Sequence, residues 1–131
     1  MEGLTENSVI TLTRRKKFAL ASSDAGKPLD PITHIAFGSG GVDGSGEPLA
    51  PSGEQTALNA ELYRYPVDSI TYPDETTVRY TVTIPRDEHT GDCISEAALV
   101  DSSGDLAAIK TMYVKRKDAG VAFTFEFDDK F

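Results

Sequence analysis

Residues Thr76 to Pro85 alternate strictly between apolar and polar, and this period of two constrains the fold more than any other feature of the chain. Val78, Tyr80, Val82 and Ile84 fall on one side, and Thr77, Arg79, Thr81 and Thr83 on the other. Successive side chains of a strand point to opposite faces, so the segment reads as a half-buried strand. Val121, Phe123, Phe125 and Phe127 form a last alternating strand. Between the two, Asp92–Val100 and Leu106–Val114 are apolar runs joined by Asp101-Ser102-Ser103-Gly104-Asp105, a hairpin turn signal. The links after Pro66 are too short for helical crossovers, so these strands must run antiparallel. Ile32–Phe37 reads as a further buried strand, with Ile35 and Phe37 on one face.

The front of the chain has a different period. Thr11 or Thr13 suits the cap of a helix reaching about Ala21, with Phe18 and Ala21 on one face and Leu20 beside them. Arg14, Arg15, Lys16 and Lys17 are expected to point mostly outward, and cations in a first turn oppose the helix macrodipole. Asp24–Pro28 is a turn. Gly38-Ser39-Gly40-Gly41 opens a Gly-, Pro- and Ser-rich stretch, read as a flexible loop over 38–52. Ser52-Gly53-Glu54-Gln55 has the S-x-x-Q form of a capping box. It predicts a second helix over 53–64, with Leu58 and Leu62 four apart and Pro66 as its stop. The expectation is a single domain over 1–131, mainly β within the α+β class. Its architecture would be an antiparallel β-sandwich or meander with two short helices in the N-terminal half.

Charge narrows the partners. The 131 residues carry a formal charge of −8 and a pI near 4.6, which argues against nucleic acid and anionic membranes, since both attract net positive surface. The charge is uneven: residues 1–27 hold five basic and three acidic groups, whereas residues 28–131 hold eight and 18. No stretch approaches the roughly 20 apolar residues of a membrane span. The apolar run after Lys17 is too short for a signal peptide. Cys93 stands alone, which excludes an intramolecular disulfide and suits a reducing compartment.

No constellation points to catalysis, a cofactor or a metal. The glycines at 38, 40 and 41 form neither G-x-x-x-x-G-K-[ST] nor G-x-G-x-x-G with a helix behind them. His89 and Cys93 are four apart among Asp87, Glu88 and Asp92, but zinc wants four ligands and calcium a regularly spaced set. Cys93 opens an apolar strand and reads as a buried, inert thiol; a thiol–imidazole pair needs His34 or His89 brought to it by the fold. Arg14–Lys17 suits either a solvated helix face or an acidic partner. Glu61 and Arg64, three apart, suit pairing with each other or across a subunit boundary. Glu96 lies in an apolar strand and needs a cationic or hydrogen-bonding partner if buried, with Arg64 a candidate. Phe131, apolar after Asp128-Asp129-Lys130, suits docking on this domain or a neighbour.

The order of the pieces resembles a known family. A short helix beginning near Leu12-Thr13 is followed by Ile32-Thr33-His34-Ile35-Ala36-Phe37-Gly38-Ser39-Gly40-Gly41, a long loop, and Gln55-Thr56-Ala57-Leu58-Asn59-Ala60-Glu61-Leu62-Tyr63-Arg64. Then come Ile94–Asp101, Gly104–Ile109 and a closing aromatic strand. From about Leu12 to Phe131 this resembles the N-terminal domain of bacteriophage tail-collar fibre proteins. The resemblance implies a non-enzymatic virion protein, made in the bacterial cytoplasm, that anchors a tail fibre to the baseplate through other tail proteins, in trimeric form. A fibre continues into a shaft and a receptor-binding tip, whereas this sequence stops at Phe131. The resemblance therefore carries over no receptor or carbohydrate binding, and the chain is expected to be an adaptor or a piece of a longer fibre. Two other classes compete: a small β-sandwich module recognising a glycan or peptide on an exposed aromatic platform, and an enzyme using Cys93 with a histidine.

Overall fold

The computed structural model describes residues 7–131, so Glu2 and Glu6, counted in the basic front, lie outside it. Among the described residues, strand β1 (Ser8–Ile10) leads into helix α1 (Leu12–Ser23). Strands β2 (Ile32–Gly38), β3 (Glu61–Pro66), β4 (Ser69–Asp74), β5 (Thr77–Ile84), β6 (Cys93–Asp101), β7 (Leu106–Arg116) and β8 (Phe123–Lys130) follow. They form a five-stranded sheet, β1-β7-β6-β2-β3, and a three-stranded sheet, β4-β5-β8. Every pairing among them is antiparallel; short links account for β4–β5 and β6–β7, the two pairings between strands that follow one another closely.

The period-two segments set the core. Tyr80, Val82 and Ile84 of β5 and Phe125 and Phe127 of β8 face Ile35, Phe37, Ala97 and Leu99 of the larger sheet in one cluster. Phe37 meets Phe125 edge-on across the sheets, ring centroids 5.4 Å apart, a geometry that aligns positive ring edge with negative face. Strand β6 is buried on both faces, which explains its near-continuous apolar run. On the second face Ala36, Ala98, Val100, Leu106 and Ile109 pack against Leu58 and Val9.

The second helix is absent. Its capping box does form: the Ser52 N–H donates to Gln55 Oε1 at 2.8 Å and the Glu54 N–H to Ser52 Oγ at 3.2 Å. It closes only a turn, because the Gly53 carbonyl accepts the Leu12 N–H at 2.6 Å. Residues 61–66 then pair with β2 as an edge strand, with Tyr65 opposite Ile35 and Tyr63 opposite Phe37. The Tyr63/Tyr65 alternation suits a pleated, half-buried surface better than a helix, and Pro66 is tolerated at such an edge. The Leu58–Leu62 spacing is coincidental: Leu58 is buried and Leu62 exposed.

Helix α1 is present, but its basic run does not all point outward. Thr11, fully buried, accepts the Arg14 N–H at 3.1 Å through Oγ1 and donates to the Leu106 carbonyl at 2.7 Å. This caps the helix and ties it to β7. Arg14 is buried and Lys17 half-buried, while Arg15 and Lys16 are exposed. Cys93 is exposed too, contrary to expectation. It begins β6 opposite Arg116, in an exposed stretch of β7.

Candidate functional site: a charged helix junction, a carboxylate hub and exposed strand edges

The first cluster joins α1 to the β6–β7 turn. Lys17 Nζ lies 2.6 Å from Asp101 Oδ2, 3.0 Å from Asp30 Oδ2 and 3.0 Å from Asp105 Oδ2. It also donates to Ser103 Oγ at 2.7 Å. Arg14 Nη1 donates to the Asp30 carbonyl at 2.6 Å and sits 3.6 Å from Asp101 Oδ2. Burial alone would push the Asp101 carboxyl up, but hydrogen bonds from Lys17, Ser103 and the Asp105 backbone N–H outweigh it and hold it below its usual range. Burial would likewise lower Lys17, yet its bonds to Asp101, Asp105 and Asp30 raise it well above the ordinary lysine value. Two of the four front cations are thus consumed in fixing the helix. The neighbouring Arg14 guanidinium stacks on Phe18 at 5.4 Å, and Phe18 meets Phe131 edge-on at 6.0 Å. Phe131 docks on its own chain here, though its side remains exposed.

The second cluster surrounds Glu96, which is fully buried. Its Oε2 accepts backbone N–H groups from Gly40 at 2.9 Å and Ala60 at 2.7 Å, and its Oε1 accepts Asn59 at 2.9 Å. Arg64 is not its partner. Arg64 bonds Glu61 instead, with Nε 2.7 Å from Oε2, as neighbours on one face of β3 rather than on a helix. The buried Glu96 carboxylate therefore takes the hydrogen-bonding alternative of the sequence reading, with three loop N–H groups as partners in place of Arg64. This explains the glycines: a Cβ on Gly38 would lie 2.5 Å from Glu96 Oε2, and one on Gly40 would lie 2.7 Å from Asn59 Cβ.

The remaining candidate side chains, among the described residues, have separate partners. Cys93 Sγ approaches the Gly91 carbonyl at 3.9 Å, and His34 Nδ1 is bonded to Thr33 Oγ1. His89 stacks on Tyr63 at 3.8 Å, with its Nδ1 3.5 Å from Asp92. Among the described residues no group of three or more His, Cys, Asp or Glu is placed to hold a metal, and no helix is long and apolar enough to cross a membrane. The most exposed aromatics are Tyr72, Phe131 and Tyr113; Tyr72 and Tyr113 lie on β4 and β7, in different sheets, and Phe131 follows the end of β8.

The family whose description is phage tail-collar fibre protein, N-terminal, matches residues 4–122. The chain belongs to that family. It is therefore a bacteriophage tail-fibre protein of the collar type, a structural component of the virion tail that associates with other tail proteins. No curated protein and no solved structure matches the chain. Of the four edge strands of this tail-fibre fold, the sequence marked only β8; it missed β1 and β4 and read β3 as part of a helix. The only trace of β4 was the β-prone Ile70-Thr71-Tyr72 before Pro73. Sequence also missed the role of Asp101, whose signal was its place at the start of the Asp101–Asp105 turn.

Proposed function

We propose that this chain attaches a tail fibre to the baseplate through protein–protein contacts, without enzymatic activity, as one unit over 1–131 and as a homo-oligomer. The family match over residues 4–122 carries the reading. The contact residues we assign are the outward pair Arg15 and Lys16, the Glu61–Arg64 pair on the β3 edge, and Phe131. Arg14, Lys17 and Glu96 support these positions from inside. The uneven charge favours contact between the basic helix face and an acidic surface, a neighbouring copy's body included. Deleting the gene from a phage or inducible prophage is expected to yield tails without fibres, counted by electron microscopy, and gold-labelled antibody is expected to mark the baseplate end of the tail. Light scattering is expected to give three times the 14.1 kDa chain mass. Normal fibre occupancy in the deletion would reject attachment, and a monomer across a wide concentration range would reject the oligomer.

A further inference from the structure

The sandwich is closed on one side and open on the other. On the closed side β3 runs directly into β4 through Val67 and Asp68 and so links the two sheets. On the open side β1 and β8 are the outermost strands, and between them lies a groove of about 330 Å³ lined by Val9, Ile10, Lys110, Phe127, Asp129 and Lys130.

The direction of the free backbone groups on β8 follows from the ladder. The Phe131 N–H donates to the Thr76 carbonyl, and β5 and β8 pair from Thr77↔Lys130 to Ile84↔Phe123 without a register shift. In an antiparallel pair alternate residues face the partner. Phe123, Phe125, Phe127 and Asp129 thus turn their N–H and C=O groups toward β5. Thr124, Glu126, Asp128 and Lys130 turn theirs outward, and among the described residues no strand pairs with them.

Asp129 makes this edge selective. It occupies the core-facing register of β8, in line with Phe125 and Phe127, and is 8% exposed. Among the described residues no hydrogen-bond partner reaches its carboxylate, whereas Asp128 beside it is held by two bonds from Arg79. Burial pushes the Asp129 carboxyl up, only partly offset by the charge of Arg14. Arg14 Nε is itself buried without a partner. An inward charge on an edge strand discourages indiscriminate pairing, and it favours a strand that brings the opposite charge.

We propose that the free edge of β8 receives an extended segment of another tail component by strand addition, with a lysine or arginine of that segment on Asp129. An added antiparallel strand meets Asp129 at a non-hydrogen-bonded position, where facing side chains approach most closely. Main-chain bonds to Thr124, Glu126, Asp128 and Lys130 supply affinity, and the groove selects the side chain. The inference rests on the attachment reading and names the contact through which it works.

The test is amide exchange and chemical-shift mapping by NMR on the full chain, with the peptides acetyl-Thr-Val-Lys-Val-Thr-Val-Thr-Val-Thr-amide and acetyl-Thr-Val-Glu-Val-Thr-Val-Thr-Val-Thr-amide as probes, long enough to run from Phe131 to Phe123 with the third residue on Asp129. The lysine peptide is expected to protect the amides of Thr124, Glu126, Asp128 and Lys130, and to bind at least about tenfold more tightly than the glutamate peptide. Glu126→Pro removes an outward donor without touching the β5 ladder, and is expected to abolish binding while the melting temperature stays near that of the parent chain. Asp129→Asn is expected to erase the preference for lysine and to keep the fold. Shifts elsewhere, equal binding of both peptides, or no shifts at saturating peptide would overturn the proposal. So would protection of the same amides on raising protein concentration alone, which would make the occupant a second copy. Exposure of these amides on deleting residues 1–6 would make it the chain's own front. Fibre-bearing tails assembled with Glu126→Pro would sink the strand contact and leave attachment standing; fibre-bearing tails without the gene would sink attachment.

Discussion

Replacing Glu96 by glutamine keeps size and shape but changes the charge and one of the two oxygens. In the parent chain three backbone N–H groups converge on the carboxylate at 2.7–2.9 Å, and the side chain has no exposure to water. Glutamine satisfies at most the two donors on one oxygen, and its NH₂ then faces a backbone N–H. A hydrogen bond to a charged group contributes roughly 1.5–3 kcal/mol and a neutral one about 1 kcal/mol. Losing one bond and weakening two therefore destabilises the fold by about 3–4 kcal/mol. With a urea m-value of about 1.5–2 kcal/mol/M for a chain this size, the unfolding midpoint is expected to fall by about 2 M with m unchanged. Amide exchange provides the local check, since Gly40, Asn59 and Ala60 are expected to lose protection before the β5–β8 ladder does. A loss below about 1 kcal/mol, or no change at those three amides, would refute the claim that the carboxylate organises the 39–60 segment.

Four further outcomes follow from the same geometry. Asp101→Asn is expected to cost about 3 kcal/mol at neutral pH, as for a broken buried pair. Because the folded Asp101 carboxyl lies below its unfolded value of about 3.9, that advantage persists above it and fades as pH falls below it, so urea midpoints of parent and variant should converge in acid. Asp129 has the opposite sign: its raised carboxyl costs stability once ionised, so Asp129→Asn is expected to melt higher at pH 7 and equally below pH about 4. Thr11→Ala removes the α1 cap and leaves the buried Leu106 carbonyl without its donor, an expected loss of about 2–3 kcal/mol by chemical denaturation. Arg15→Glu with Lys16→Glu is expected to leave the melting temperature unchanged and to reduce fibre occupancy on tails, counted in micrographs.

What was legible follows the strength of each local signal. Strand β5, the hairpin of β6 and β7, and β8 each write a period of two or a doubly buried apolar run, and the structure places strands there, except that β8 begins at Phe123 and leaves Val121 exposed before it. The error over 53–64 arose because a capping box and an i, i+4 leucine pair are both local, while the decision was tertiary. Strand β2 offers an edge, and Tyr63 and Tyr65 fill the core beside Phe37. Strand β4 left little trace because all six of its residues are exposed, so burial imposes no alternation on it. Glu96 was legible as a residue needing a partner, but its partners are backbone N–H groups, and sequence carries no sign of where a loop brings those. For the same reason Arg14 and Lys17 looked like half of an exposed basic run. Only the fold reveals Asp30, Asp101 and Asp105 beneath them.

That last displacement changes how the surface charge is distributed. Two of the four basic groups at the head of α1 are committed to internal carboxylates, so the positive face offered to a partner reduces to Arg15 and Lys16. A contact resting on two exposed lysine- or arginine-type charges is weak on its own, about 0–1 kcal/mol per pair, and is screened at physiological salt. Attachment strong enough to hold a fibre must therefore draw on something besides the basic run. The free β8 edge meets that need with four outward-facing residues' worth of main-chain bonds, in a direction fixed by the β5 ladder. Asp129 adds selectivity at a site where desolvation amplifies charge recognition. The strong part of the contact should consequently survive salt that weakens the contribution of Arg15 and Lys16. On this reading helix α1 steers the approach, and β8 holds.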